Sequence, residues 1–222
     1  GEDLILLKNK MILSSNKRGR ITTDDQIEII SDSFKYLKNI NNLEAAGAVQ
    51  IKDLKNDINI NTEKILYLKN QEKIKTLGKT KITISNIYTF EGEDLILLKN
   101  KMILSSNKSA IIKDNLGNIY KVNKFEYNIN QELLKAENIN FITRNNQNDS
   151  DKFFFKSAFI DLKKKKFLAK DISAKFHKSL FNNSKNDPRL IALSGYGDNN
   201  SSNFEKGVFT TCKKTDKCPP WK

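Results

Sequence analysis

The chain has 222 residues, 38% of them hydrophobic, and a formal net charge of +13. It is long enough to bury a core, as one large domain or two small ones. No run approaches the roughly 20 apolar residues that span a bilayer as a helix, one histidine and two cysteines leave no metal-spaced cluster, and no nucleophile elbow or phosphate-binding glycine loop is present, so neither an enzyme, a cofactor nor a metal is expected.

Within its repeats the chain alternates apolar and polar positions with period 2, the pattern of a strand with one buried face. The alternation is organised in a repeat of about 31 residues. One half of it reads Ile12-x-Ser14-x-Asn16, then Leu43-x-Ala45-x-Gly47, Ile74-x-Thr76-x-Gly78, Ile103-x-Ser105-x-Asn107, Leu134-x-Ala136-x-Asn138 and Phe167-x-Ala169-x-Asp171. The closing Gly, Asn or Asp positions are 31, 31, 29, 31 and 33 residues apart, and these residue types tolerate the left-handed backbone or a tight bend. The other half is an apolar pair followed by a polar turn. It runs Phe34-x-Tyr36-Leu37-Lys38-Asn39, Ile65-x-Tyr67-Leu68-Lys69-Asn70, Leu95-x-Leu97-Leu98-Lys99-Asn100, and Phe125-x-Tyr127 ending at Asn130.

Each unit predicts two short strands, too little to bury its own face, so units stack. The expected inward set is Leu43, Ala45, Val49 and Ile51 in one unit, Ile65 and Tyr67 leading to Ile74 and Ile82, then Leu95 and Leu97, Ile103, Phe125 and Tyr127, and Leu134 and Ala136. Lys75, Lys79 and Lys81 fall on the opposite face. The predicted fold is all-β, with about a dozen strands and only trivial helix.

A second repeat is literal. Residues 1–17 (GEDLILLKNKMILSSNK) recur letter for letter at 92–108, an offset of 91 residues that equals three structural units of 31, 31 and 29. The copy is therefore in register with the fold, and it leaves the inner face inward.

The net positive charge suits nucleic acid, an anionic membrane or an anionic glycolipid, and equally a lysine-rich codon usage. Residues 163–166 are four consecutive lysines between two strand-like segments, read as a charged turn. Aromatic residues recur at the inward position rather than among basic ones on an exposed face, so no nucleic-acid partner is expected. Beyond about residue 180 the pattern changes. Residues 182–187 are polar, residues 195–203 are rich in Gly, Asn and Ser, and Gly207-Val208-Phe209-Thr210-Thr211 is a last short strand before Cys212 and Cys218. Residues 1–180 thus form the repeat domain and 181–222 its last strands and a linker.

That tail carries the most specific motif. Asn186-Asp187-Pro188-Arg189-Leu190, then Lys206-Gly207-Val208-Phe209-Thr210-Thr211-Cys212 and Cys218-Pro219-Pro220-Trp221, resembles the LptD family of lipopolysaccharide-assembly outer-membrane proteins, best in its alphaproteobacterial form. The preceding units are similar to the OstA repeats of that family's periplasmic domain. The resemblance implies an open β-jellyroll, shaped like a folded taco, on the periplasmic side of the outer membrane. Its apolar groove would be lined by the inward residues above and would carry the acyl chains of lipopolysaccharide. Implied partners are a periplasmic bridge protein joined edge to edge by strand pairing, the family's own C-terminal barrel, and the plug lipoprotein of that barrel. Cys212 and Cys218 align with the junction cysteines. A local Cys212–Cys218 bridge and pairing with barrel cysteines both remain open. The rival readings are a soluble bridge protein of the same lipid pathway and a β-solenoid binding or adhesion module.

Overall fold

Period-2 alternation becomes strand along almost the whole chain. The computed structural model describes residues 4–23, 26–144, 150–178 and 186–213, and among these it has twenty strands and three single 3-10 turns. None of its helices is long and apolar enough to cross a membrane. The fold is all-β, as the repeat predicts. The chain divides into two compact units, residues 1–110 and 111–222.

The first unit holds β1 (Ile5–Leu7), β2 (Ile12–Ser15), β3 (Gly19–Thr22), β4 (Ile27–Ser31), β5 (Ser33–Leu37), β6 (Asn42–Asp53), β7 (Ile58–Leu68), β8 (Lys73–Ile84), β9 (Tyr88–Glu93), β10 (Ile96–Leu98) and β11 (Ile103–Ser106). The pairings described are antiparallel, and β6, β7 and β8 form the long centre. The first half of β6 pairs with β5 and its second half with β4. Likewise β8 pairs with β10 at its start and with β9 at its end. The sheet therefore splits into two tiers at both sides of the centre.

What separates the tiers is a jog. Gly47 and Ala48 of β6, at φ of 79° and 44°, together face the single residue Glu63 of β7, where the register shifts. Gly78 of β8, at φ 82°, marks the matching shift on the other side of Glu63. Extra residues in one strand of a pair bend it and sharpen its twist. The bend can be measured: Thr80 Oγ1 donates to Thr76 Oγ1 at 2.8 Å, although four residues of straight strand would separate them by about 13 Å. Thr62 joins this contact through Thr80 at 2.8 Å. Thr76 Oγ1 also accepts the Leu95 N–H at 2.9 Å. The buried hydroxyls thus satisfy backbone that the jog frees from the ladder. The two halves of each long strand close over one apolar interior, which is the jellyroll principle.

The second unit repeats the device. After β12 (Ala110–Asp114), which straddles the division, it contains β13 (Ile119–Val122), β14 (Lys124–Asn128), β15 (Leu133–Ile142), β16 (Lys152–Asp161), β17 (Lys166–Lys175), β18 (Arg189–Gly197), β19 (Ser202–Glu205) and β20 (Val208–Thr210). Here every long strand steps at one level. Asn138 faces Lys156, Lys156 faces Asp171, and Asp171 faces Leu193, while the pairs on either side keep register. Asn138 and Asp171 are left-handed, both at φ 49°. On each strand the buried parity changes across this level, from Leu134 and Ala136 to Ile139, for example. Phe155 pairs with Ile172, five residues along β17 from Phe167, about 17 Å in a straight strand. Yet the Phe155 and Phe167 rings stack at 5.9 Å. The tiers of this unit also face each other.

Strands outnumber the expected dozen because the jogs break the outer ones into halves. Four of the six expected Gly, Asn or Asp positions, namely Gly47, Gly78, Asn138 and Asp171, have positive φ. A second left-handed series was not expected. It closes the polar turn of each unit at Met11, Asn41, Glu72, Met102, Glu132 and Lys165, with φ of 46° to 53°. None is glycine, so residue type does not mark it. The lysine run at 163–166 spans the turn between β16 and β17 and the first residue of β17. The Gly, Asn and Ser-rich segment 195–203 is a hairpin: β18 extends to Gly197, β19 begins at Ser202, and the Asp198 carboxylate accepts the N–H groups of Asn200 and Ser201 to close the turn. Cys212 is disulfide-bonded; Cys218 lies outside the described residues, as do 182–185 of the expected loop and the Pro219-Pro220-Trp221 exit.

Candidate apolar groove

The interior of the first unit is built of cross-strand rows. Directly opposed residues in neighbouring antiparallel strands point to the same face and interact. One row passes Leu6, Leu13, Tyr36, Leu43, Tyr67, Ile74, Leu97 and Leu104 without a polar residue. On the other tier a row runs Ile21, Ile29, Ile51, Ile60, Ile82 and Phe90. Between them, against the jog, lie Ala45, Ile65 and Thr76, with Val49 and Leu95 buried beside them. In the second unit the rows are Tyr127–Leu134–Ile160–Phe167 and, at the crease, Phe125–Ala136–Ala158–Ala169 with Gly195. Small residues at the crease leave room for the rings that meet above them. A Cβ on Gly195 would stand 2.6 Å from Phe204 and 2.8 Å from Ile172.

Fourteen of the fifteen expected lining residues are buried: Leu43, Ala45, Val49, Ile51, Ile65, Tyr67, Ile74, Ile82, Leu95, Leu97, Phe125, Tyr127, Leu134 and Ala136. Ile103 is the exception. It is half-buried and opposes Leu98, while Leu104 opposes Leu97 and is wholly buried. The reason is the turn. Counted from the left-handed residue, Ile74 is two beyond Glu72, and two beyond Met102 is Leu104. Aligning the apolar letters placed Ile103 one residue early, and a one-residue slip exchanges the faces. Ser105 gives way to buried Ser106 for the same reason.

Much of the other tier was not anticipated, including Ile29, Ile60 and Phe90 in the first unit and Ile139, Phe155 and Ile172 in the second. All are buried. In the second unit the signal was present as the Asn138 and Asp171 jogs, which switch the face on which period-2 counting must continue. The row Tyr120, Phe141 and Phe153 was also missed. Its rings stack at 4.4 and 5.6 Å, and Phe176 meets Phe153 edge-on at 5.7 Å. Phe141, Phe153 and Phe176 are half-buried.

The rows named above carry no charged residue, and the one buried carboxylate at their margin among the described residues, Asp53, opposes Ile27 and Ile58 and accepts the Asn56 N–H at 3.1 Å. The clearest electrostatic feature flanks the jog of the first unit, where Asp94 (φ 51°) links β9 to β10. Its carboxylate accepts the Lys108 ammonium at 2.6 Å and the Gly78 N–H at 3.2 Å. The Lys108 hydrogen bond, then that of Gly78, holds the Asp94 carboxyl below its ordinary 3.8. Lys108 is raised in turn, chiefly by Asp94. A lowered carboxyl stabilises the fold at pH above the unfolded value and ceases to do so as pH falls through the folded value. The Asp94→Asn variant is therefore expected to lose less stability than the parent between neutral pH and the acid side of 3.8, read from urea midpoints across that range. Parallel pH profiles would show that Asp94 contributes no acid sensitivity. A separate hollow of about 540 Å³ lies over Glu63, Lys79, Lys81 and Glu93; these exposed, charged side chains set it apart from the apolar rows.

The chain matches no family model, and no curated protein matches it. The rows offer aliphatic and aromatic contact along the stacking direction of each unit.

Proposed function

We propose that this chain is a lipid-carrying periplasmic domain of lipopolysaccharide assembly at the outer membrane, and that its two-tier interior receives lipid A acyl chains. The observation that carries this reading is the run of uninterrupted apolar rows crossing strand after strand. Burying one CH₂ contributes about 0.8 kcal/mol, so a chain of a dozen carbons gains on the order of 10 kcal/mol. Such a chain does not escape to water, but it can slide between positions that offer similar burial. Transport needs that uniformity more than it needs one tight site, and a repeat supplies it.

The reading also includes edge pairing with a periplasmic bridge protein, and the literal duplication shows what a strand beside β1 would add. In the second copy, β10 pairs with β11 on one side and β8 on the other. In the first copy the hairpin has the same register, with β1 paired to β2, yet Leu4 is 63% and Leu6 58% exposed, against 0% for Leu95 and 3% for Leu97. A strand like β8, with an aliphatic residue and a threonine facing in, would complete it. The tail motif favours an LptD-like chain with a following barrel over a soluble bridge subunit.

The test is photo-crosslinking in cells. A crosslinking residue at Ala45 or Ala136 is expected to trap lipopolysaccharide, and one at Lys75 on the opposite face is not. Crosslinks confined to Lys75, or none at either alanine, would overturn the lipid-carrier reading.

A further inference from the structure

The outer face of the second unit departs from the pattern of the first. In the first unit, the outward row beside the inner Leu43 row reads Lys35, Glu44, Leu66, Lys75 and Ile96. Charges there separate the apolar residues, as on an ordinary solvated sheet. The equivalent row of the second unit reads Glu126, Lys135, Phe159, Leu168, Tyr196 and Asn203. Three neighbouring strands, β16, β17 and β18, thus present Phe159, Leu168 and Tyr196 side by side, 47%, 55% and 53% exposed. Contiguous exposed apolar groups of this kind mark an interaction surface.

The surroundings of the row say what it meets. Lys135 stands over the Phe159 ring at 5.5 Å. The lysine turn at 163–166 joins β16 to β17 two positions from the Phe159–Leu168 pair, and Lys170 is exposed on the same strand. Among the nearby carboxylates, Glu126 opposes Lys135 at the end of the row, Asp161 accepts the Lys164 backbone N–H at 2.7 Å and pairs with its ammonium at 3.8 Å, Asp198 caps its own turn, and Glu205 takes the Ser194 hydroxyl at 2.7 Å. A Phe, Leu and Tyr row beside a lysine turn has the composition of a surface that seats at the headgroup level of an anionic bilayer. The rings and leucine enter the interface while the lysines stay with the phosphates.

We propose that this outer face of β16–β18 docks the second unit onto an anionic membrane surface. The face lies on the side of the sheet opposite the apolar interior, and the inference stands whether or not that interior carries lipid.

The experiment is vesicle flotation of the whole chain. Vesicles of phosphatidylcholine with phosphatidylglycerol are expected to carry the protein up the gradient, and vesicles of phosphatidylcholine alone to carry at least about tenfold less. The triple variant Phe159→Ser, Leu168→Ser, Tyr196→Ser changes only exposed side chains. It should keep the parent's melting transition and lose at least about tenfold in bound fraction. Changing Lys163, Lys164, Lys165 and Lys166 to Gln should weaken flotation and flatten its salt dependence. Equal flotation by the triple variant would overturn the proposal. So would an apolar row that instead drives dimerisation in light scattering with no vesicle binding, since that would assign the face to a second copy of the chain. Crosslinking at Ala136 is unaffected by the triple variant if the two sites are separate, so the two readings can fail independently.

Discussion

Truncation of Leu95 to alanine is expected to destabilise the protein by about 2–5 kcal/mol, the range for a buried leucine that leaves a cavity. The same truncation at Leu4 is expected to change stability by no more than about 0.5 kcal/mol, as for an exposed position. The two leucines sit at the same place in two copies of one 17-residue sequence. Intrinsic propensity, turn chemistry and neighbouring residues are therefore identical, and only the tertiary surroundings differ. Leu95 is wholly buried, and its N–H is taken by the buried Thr76 hydroxyl; Leu4 lies open beside the edge strand β1. Urea midpoints of the two variants, measured side by side with Leu97→Ala and Leu6→Ala as a second matched pair, check this. Comparable losses at Leu4 and Leu95 would mean that the two hairpins are equally packed, and the edge assignment of β1 would fall with the result.

The second large effect is expected at the jog. Gly47→Ala should destabilise the fold by about 2–4 kcal/mol, and Gly78→Ala by about 1–2 kcal/mol. Both glycines have φ near +80°, so any side chain brings the left-handed penalty. Their surroundings separate them. A Cβ on Gly47 would lie 2.8 Å from the Asp32 Cβ, an atom fixed to its own backbone. At Gly78 the nearest atom, at 2.6 Å, is the Glu63 carboxylate oxygen, the end of a flexible chain that can swing away. Adding Asp32→Gly to Gly47→Ala should therefore recover the steric part of the loss and leave the backbone part. Thermal and urea unfolding of the two single variants and the double variant decides it. If Gly78→Ala proves the more damaging, the jog is held by something other than these contacts.

Local patterning already specified a good deal. Alternation along residues 74–84 placed Ile74, Thr76, Thr80, Ile82 and Ile84 on one face, and all five are buried. Gly47, Gly78, Asn138 and Asp171 stood out because few other residue types are at ease with a left-handed backbone, and the strands do fold there. An all-β chain of stacked units follows from these features, since strand alternation and backbone handedness are local preferences that neighbouring letters reveal. Three things needed the tertiary structure. The face on which apolar counting resumes after a jog depends on how many residues the partner strand contributes opposite it, which is why part of the second unit's lining, such as Ile139 and Phe155, was hidden. The exchange of Ile103 for Leu104 was set by a left-handed methionine, Met102, whose side chain gives no sign of it. And two identical 17-residue stretches differ in burial, because a strand's burial is decided by what pairs with its free edge and what closes over its face, and neither is written in the strand itself.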